Sequence, residues 1–144
     1  MKIALWTFAL TFFLSISANA KDKRSEVVVD LKTEHHGKVT QKKYELFKVS
    51  QKEKKWKIRY FENGKLKTVK HVPDAMGKRI RRKAHRQVWS LNYGGKKLVP
   101  KKTCKRVLFI NLPRRSEKTE VCAGDVPQLA SSKPLIRSLD QLVD

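Results

Sequence analysis

Acidic residues are scarce in this chain: 13 Asp and Glu stand against 34 Lys and Arg, a net charge of +21. Such a surface repels basic partners and attracts polyanions. Cysteine is nearly absent. Cys104 and Cys122 form no Cys-x-x-Cys pair, so neither a redox dithiol nor a four-thiolate zinc site can be built from them. Glycine is also sparse, at six residues, and no Gly-rich phosphate loop occurs. Gly-x-Ser-x-Gly and His-Glu-x-x-His are missing, which removes two common hydrolase arrangements. No internal repeat and no low-complexity tract is present. The absences favour a non-enzymatic binding protein that needs no cofactor.

One long apolar run exists, and it is N-terminal. Met1-Lys2 is a short positive start, Ile3 to Ile16 is nearly continuous in apolar residues, and Ala18-Asn19-Ala20 is a small-x-small cleavage site. Residues 1–20 therefore read as a secretory signal peptide, too short and wrongly flanked for a membrane span. The expected mature chain is Lys21 to Asp144, one small β-rich domain that is secreted or periplasmic. Lys2 leaves with the leader, so the net charge of the mature chain falls from +21 to +20. In an exported chain two cysteines read as one disulfide, Cys104–Cys122. Closing that loop should stabilise the fold by about 3 kcal/mol.

The charge is not spread evenly. Lys78, Arg79, Arg81, Arg82, Lys83, His85 and Arg86 crowd one stretch. Met76, Ile80, Ala84 and Val88 recur every four residues through it and trace one stripe of a helix. Read as a strand, the same stretch would bury Arg82 and Arg86 beside Ile80 and Ala84. Val72-Pro73-Asp74 suits a helix start. Gly77 should weaken the helix by about 1 kcal/mol relative to Ala.

The rest reads as short strands. Val27–Leu31 is β-branched, Glu34–Lys38 is a loop, and Val39–Ser50 is a second strand. Asn63-Gly64 is a type I′ hairpin signal. That turn predicts Trp56 opposite His71, Ile58 opposite Val69 and Tyr60 opposite Lys67 on a core face. On the other face it predicts Lys57 opposite Lys70, Arg59 opposite Thr68 and Phe61 opposite Leu66. Gln87–Tyr93 alternates, which predicts a strand with Trp89, Leu91 and Tyr93 on one face. Gly94-Gly95 would turn it back through Lys96–Lys101. Lys105–Leu112 and Glu117–Cys122 predict another antiparallel pair. With the cysteines opposed, Arg106 faces Glu120 and Leu108 faces Lys118. Residues 126–144 are expected to be a connector and a C-terminal amphipathic helix. The predicted architecture is mostly β (α+β): a curled antiparallel sheet or small barrel, with an inserted basic helix and that last helix.

Trp56-Lys57-Ile58-Arg59-Tyr60-Phe61-Glu62-Asn63-Gly64-Lys65-Leu66-Lys67, followed by a basic helix, resembles the small N-terminal DNA-binding domain of phage integrases. The likeness implies a hairpin followed by a helix. It is read as shared hairpin chemistry, since the recombinase domain has no counterpart here.

Two arrangements for chemistry were weighed. Glu34-His35-His36 lacks a third ligand at zinc spacing, so no metal site is expected. Nothing in the sequence brings His71 and His85 to one phosphate as an acid–base pair. The function expected from sequence is binding of an anionic polymer, such as envelope phosphates, an anionic cell-wall polymer or extracellular nucleic acid, or of an anionic membrane surface. Lys78, Arg79, Arg81, Arg82, Lys83, His85 and Arg86 would carry it, because guanidinium forks match phosphate. The alternative is an envelope protein–protein module or inhibitor, using Leu135, Ile136, Leu139 and Leu142 of the last helix as the contact. N-terminal sequencing of the exported protein should begin at Lys21. A cytoplasmic protein that retains Met1 would refute export.

Overall fold

The computed structural model describes residues 25–50, 52, 54–93, 104–122 and 133–144. In chain order these form β1 (Val27–His35), β2 (Lys38–Lys48), β3 (Trp56–Glu62), β4 (Lys65–Val72), α1 (Asp74–Tyr93), β5 (Arg106–Leu112), β6 (Glu117–Cys122) and α2 (Lys133–Val143). The strands make one antiparallel sheet in the order β4-β3-β2-β1-β5-β6. The mostly-β class holds. The sheet stays open, with β4 and β6 as its edges, so the small-barrel alternative does not form. The leader, the Gly94-Gly95 turn, the return strand at 96–101 and most of the connector lie outside the described residues.

Two tight turns set the local pairing. His36 and Gly37 have φ of 50° and 74°, and Asn63 and Gly64 have 48° and 77°. Those are the values a two-residue type I′ hairpin requires at both central positions. Glu62 then faces Lys65 and Phe61 faces Leu66, as the turn dictates. Past Phe61 the register departs from the sequence expectation. A shift between Tyr60 and Phe61 leaves Lys67 as an extra residue. Trp56 therefore faces Val72 instead of His71, Ile58 faces Lys70, and Tyr60 faces Thr68. The bulge turns Val72 into the core and His71 out to solvent. It also places Lys57 opposite His71, which avoids the predicted Lys57–Lys70 apposition.

The second hairpin is corrected too. Phe109 pairs with Glu120 and Leu108 with Val121, three residues from the register that opposed the cysteines. This pairing buries Leu108, Ile110 and Val121 together on the core face. Cys104 precedes β5 and reaches Cys122 with a Cα–Cα distance of 5.7 Å.

The largest difference is α1. The predicted strand at Gln87–Tyr93 is the second half of this helix. Its alternation happened to coincide with a helical pattern: Ile80, Ala84, Val88 and Leu91 are buried, while Trp89 and Tyr93 are 65% and 67% exposed. Both helices cover one sheet face. Val27, Val29, Leu31, Tyr44, Leu46, Trp56 and Ile58 form the core with the buried side of α1 and with Leu135 and Leu139 of α2. The C-terminal stripe is thus used inside the molecule, with Ile136 and Leu142 packed at the margin of the same core.

Gly77 sits where α1 crosses the Trp56 ring. A Cβ at Gly77 would lie 2.5 Å from Trp56 Cγ. The helix-propensity gain of Gly77→Ala, about 1 kcal/mol, is opposed by an overpacking cost of roughly 1–3 kcal/mol. The clash is with a fully buried indole, so the cost should win. Urea unfolding of Gly77→Ala should show a lower midpoint than the parent. A midpoint at or above that of the parent would show that the contact has room to give.

Candidate polyanion-binding site

The sequence-predicted basic stretch lies on α1, but the helix does not present it as one surface. Its residues divide four ways. Lys78 is bound to the helix start, with its Nζ 2.7 Å from Asp74 Oδ2. Lys83 faces α2, where its Nζ donates to Ser138 Oγ at 2.9 Å, and Arg86, exposed like Arg82, lies at the outer edge of that contact. Arg79 is exposed. Arg81, Arg82 and His85 point the other way and line a cleft of about 340 Å³.

The opposite wall comes from residues that sequence reasoning did not select. Lys48 ends β2, Leu112 ends β5, and Arg114 and Arg115 occupy the β5–β6 turn. Glu26, just ahead of β1, forms the floor. Its carboxylate is 5% exposed, so it carries charge where solvent is scarce. Burying a carboxylate is tolerated only when cations and hydrogen bonds offset the desolvation. Arg114 Nε lies 3.0 Å from Glu26 Oε1, and Arg81 Nη1 lies 3.8 Å from Oε2. Arg81 is steadied further by the Trp56 ring, with its Cζ 5.7 Å from the centroid, and Lys48 Nζ lies 5.1 Å from the same ring.

The cleft is therefore unbalanced. Lys48, Arg81, Arg82, Arg114 and Arg115 are five permanent cations around the one carboxylate in its lining, a net of +4. Arg82, Arg114 and Arg115 are exposed at the rim. Guanidinium groups converging on a concave surface suit a tetrahedral oxyanion, which accepts several donors at once. Glu26 engages Arg114 and, more loosely, Arg81, and leaves the charges of Arg82 and Arg115 at the rim.

His85 reports on this field. Burial holds its pKa below the ordinary histidine value, and the nearby Arg115 and Arg81 charges push the same way. Glu117 and Glu26 oppose them more weakly. The imidazole resists protonation in the folded chain, and a bound anion would reverse part of that resistance.

The His35 and His36 rings lie 4.2 Å apart between centroids. Among the described residues no cluster of three His, Cys, Asp or Glu could hold a metal ion. No described helix is long and apolar enough to cross a membrane. No protein-family model, curated protein or solved structure matches the chain.

The sign of the His85 effect is fixed by its lowered pKa. The unfolded chain takes up a proton near the ordinary value of about 6.5, and the folded chain does so only at lower pH. Stability is full above that value and falls as pH drops through it toward the folded pKa. Imidazole NMR should place the His85 pKa below the ordinary histidine value of about 6.5, and saturating sulfate should move it up. In His85→Gln the loss of stability between about pH 7 and 5 should shrink. A His85 resonance that titrates at the ordinary histidine value of about 6.5 and ignores sulfate would remove the imidazole from the site.

Proposed function

We propose that the protein is a non-enzymatic binding protein for phosphate-bearing anionic polymers, acting in an exported compartment. The observation that carries this reading is the convergence of Lys48, Arg81, Arg82, Arg114 and Arg115, with His85, on one cleft floored by a buried Glu26. These residues come from four separate parts of the chain. Net charge alone requires no such convergence. The Cys104–Cys122 disulfide is compatible with an oxidising location.

The roles differ along the cleft. Arg82 and Arg115, exposed at the rim, make first contact with phosphate oxygens. Arg81 is fixed against Glu26 and the Trp56 ring and offers its remaining donors from a set position. Lys48 adds a point charge at the far wall. Lys78 and Lys83 are engaged by Asp74 and Ser138 and belong to the helix framework. The binding residues favoured by this geometry are therefore a subset of the basic stretch together with the β5–β6 turn.

The test separates a site from a diffuse field. Arg82→Gln, Arg115→Gln and Lys48→Gln together remove three charges from the cleft. Lys38→Gln, Lys65→Gln and Lys105→Gln remove three exposed charges elsewhere. Binding to duplex DNA, used as a model polyphosphate, should weaken steeply with salt in the parent. The cleft variant should lose about three units of the log–log salt slope and at least tenfold more affinity than the remote variant. Equal losses from the two variants would reduce the protein to a uniformly basic surface.

A further inference from the structure

The solvent side of α1 continues beyond the cleft. Arg82, Arg86, Trp89 and Tyr93 follow at steps of four, three and four residues, so they lie along one helical face. The stripe runs about 16 Å along the helix axis. Its first half is cationic and its second half aromatic. Trp89 and Tyr93 are the most exposed large hydrophobic side chains described, at 65% and 67%, and their rings sit 6.1 Å apart. The core takes Val88 and Leu91 from the same turns and leaves both rings outside. Isolated exposed aromatics are ordinary on protein surfaces; a contiguous pair aligned with arginines is a patch.

We propose that this face of α1 docks the protein on an anionic lipid bilayer, with Trp89 and Tyr93 seated at the headgroup–acyl boundary. The arginines meet lipid phosphates, so the proposal rests on the polyanion reading above. Trp and Tyr each join an apolar ring to one polar handle, the combination that favours a membrane interface over either bulk phase. Arg86 and Arg82 lie about one and two turns from Trp89 on the same side, and Arg115 stands across the cleft rim, so headgroups along the stripe would meet cations. Long arginine side chains can reach those headgroups while the rings sit deeper. The geometry argues against single-stranded nucleic acid as the occupant. The two rings are tilted by 41° on a convex ridge and offer no parallel slot into which successive bases could stack. A helix-binding protein groove would need an apolar stripe, and half of this one is arginine.

Sedimentation with vesicles of phosphatidylglycerol, compared with phosphatidylcholine vesicles and with soluble polyphosphate, tests the assignment. The purified full chain is compared with its variants, so any contribution from residues 1–24 is common to all of them. The parent should prefer the anionic vesicles. Trp89→Ser with Tyr93→Ser should lose about tenfold on those vesicles, the loss expected for withdrawing two rings from an apolar phase. The same variant should bind polyphosphate within roughly twofold of the parent, because both side chains are surface positions outside the cleft. Arg82→Gln with Arg86→Gln should weaken both interactions. Trp89→Phe, which keeps a ring, should retain most vesicle binding. Brominated lipid should quench parent fluorescence more than that of Trp89→Ser. Polyphosphate binding together with vesicle binding that ignores Trp89 and Tyr93 would overturn the docking face and leave the cleft intact. A larger loss on single-stranded DNA than on vesicles would reassign the face to nucleic acid. A parent that binds none of the anionic probes would overturn the polyanion reading as well.

Discussion

The contact between Trp56 and Gly77 sets the height and angle of α1 over the sheet. The indole is fully buried at the start of β3. Only a residue without a side chain lets the helix backbone come down onto its face. The ring edge is occupied as well, because Nε1–H donates to Asp74 Oδ1 at 2.9 Å. Asp74 sits in the first turn, where a carboxylate also meets the positive end of the helix dipole. Lys78 and the indole N–H together hold that carboxyl below its usual range. One aromatic side chain thereby fixes the depth of the helix, its starting point and the place of Arg81 above the ring. With Arg81 placed, Glu26 can be buried, and with Glu26 buried the cleft has a floor.

Elsewhere the molecule disperses its positive charge. On the sheet face away from the helices, Lys43 and Arg59 both reach Glu45, at 2.8 and 3.0 Å. Arg59 also lies over Phe47, and Lys43 over Phe61. On the other side Tyr44 donates to Asp140, and Lys42 approaches the same carboxylate at 3.9 Å. The exposed Lys42–Asp140 pair contributes about 0–1 kcal/mol, too little to hold the fold. What these pairs do is lower the local field where the acids are. The 13 acids are unevenly used, and the cleft receives one of them in its lining.

Much of this was legible in the sequence, and the failures have local causes. Asn63-Gly64 announced its hairpin because two positive φ values leave few other residues. The stripe Met76, Ile80, Ala84 and Val88 announced α1 because a strand with the same inward face would bury Arg82 and Arg86 beside Ile80 and Ala84. The end of α1 misled because Trp89, Leu91 and Tyr93 also satisfy a period of two, and Gly94-Gly95 just beyond them resembles a hairpin turn. The bulge at Lys67 was invisible: turn chemistry fixes the pairs beside the turn, and burial of Val72 decides those farther off. The cysteines suggested a register but do not impose one, since Cys104 bridges from outside β5. The cleft was half legible. A basic helix can be read from spacing, but which of its arginines meet Arg114 and Arg115 depends on β5 lying beside β1, and no local signal carries strand order.

That dependence also separates the cleft from mere composition. Arg81, Arg82, Arg114 and Arg115 repel one another, and a folded chain that gathers them must supply the work from packing elsewhere. An arrangement of 34 cations set by their mutual repulsion alone would spread them apart, because separation lowers their mutual energy in any dielectric. Glu26 offsets part of the repulsion and is itself buried at a desolvation cost, which only nearby cations can repay. Floor and rim are therefore mutually dependent: the carboxylate is buried because the arginines are present, and the inner arginine is held because the carboxylate is. The unmatched charge stays at the rim, where an anion arriving from solvent removes repulsion without displacing Glu26. Under the proposed function, binding would draw on the same electrostatic term as folding at this end of the sheet, and that coupling is what a surface of scattered lysines would lack.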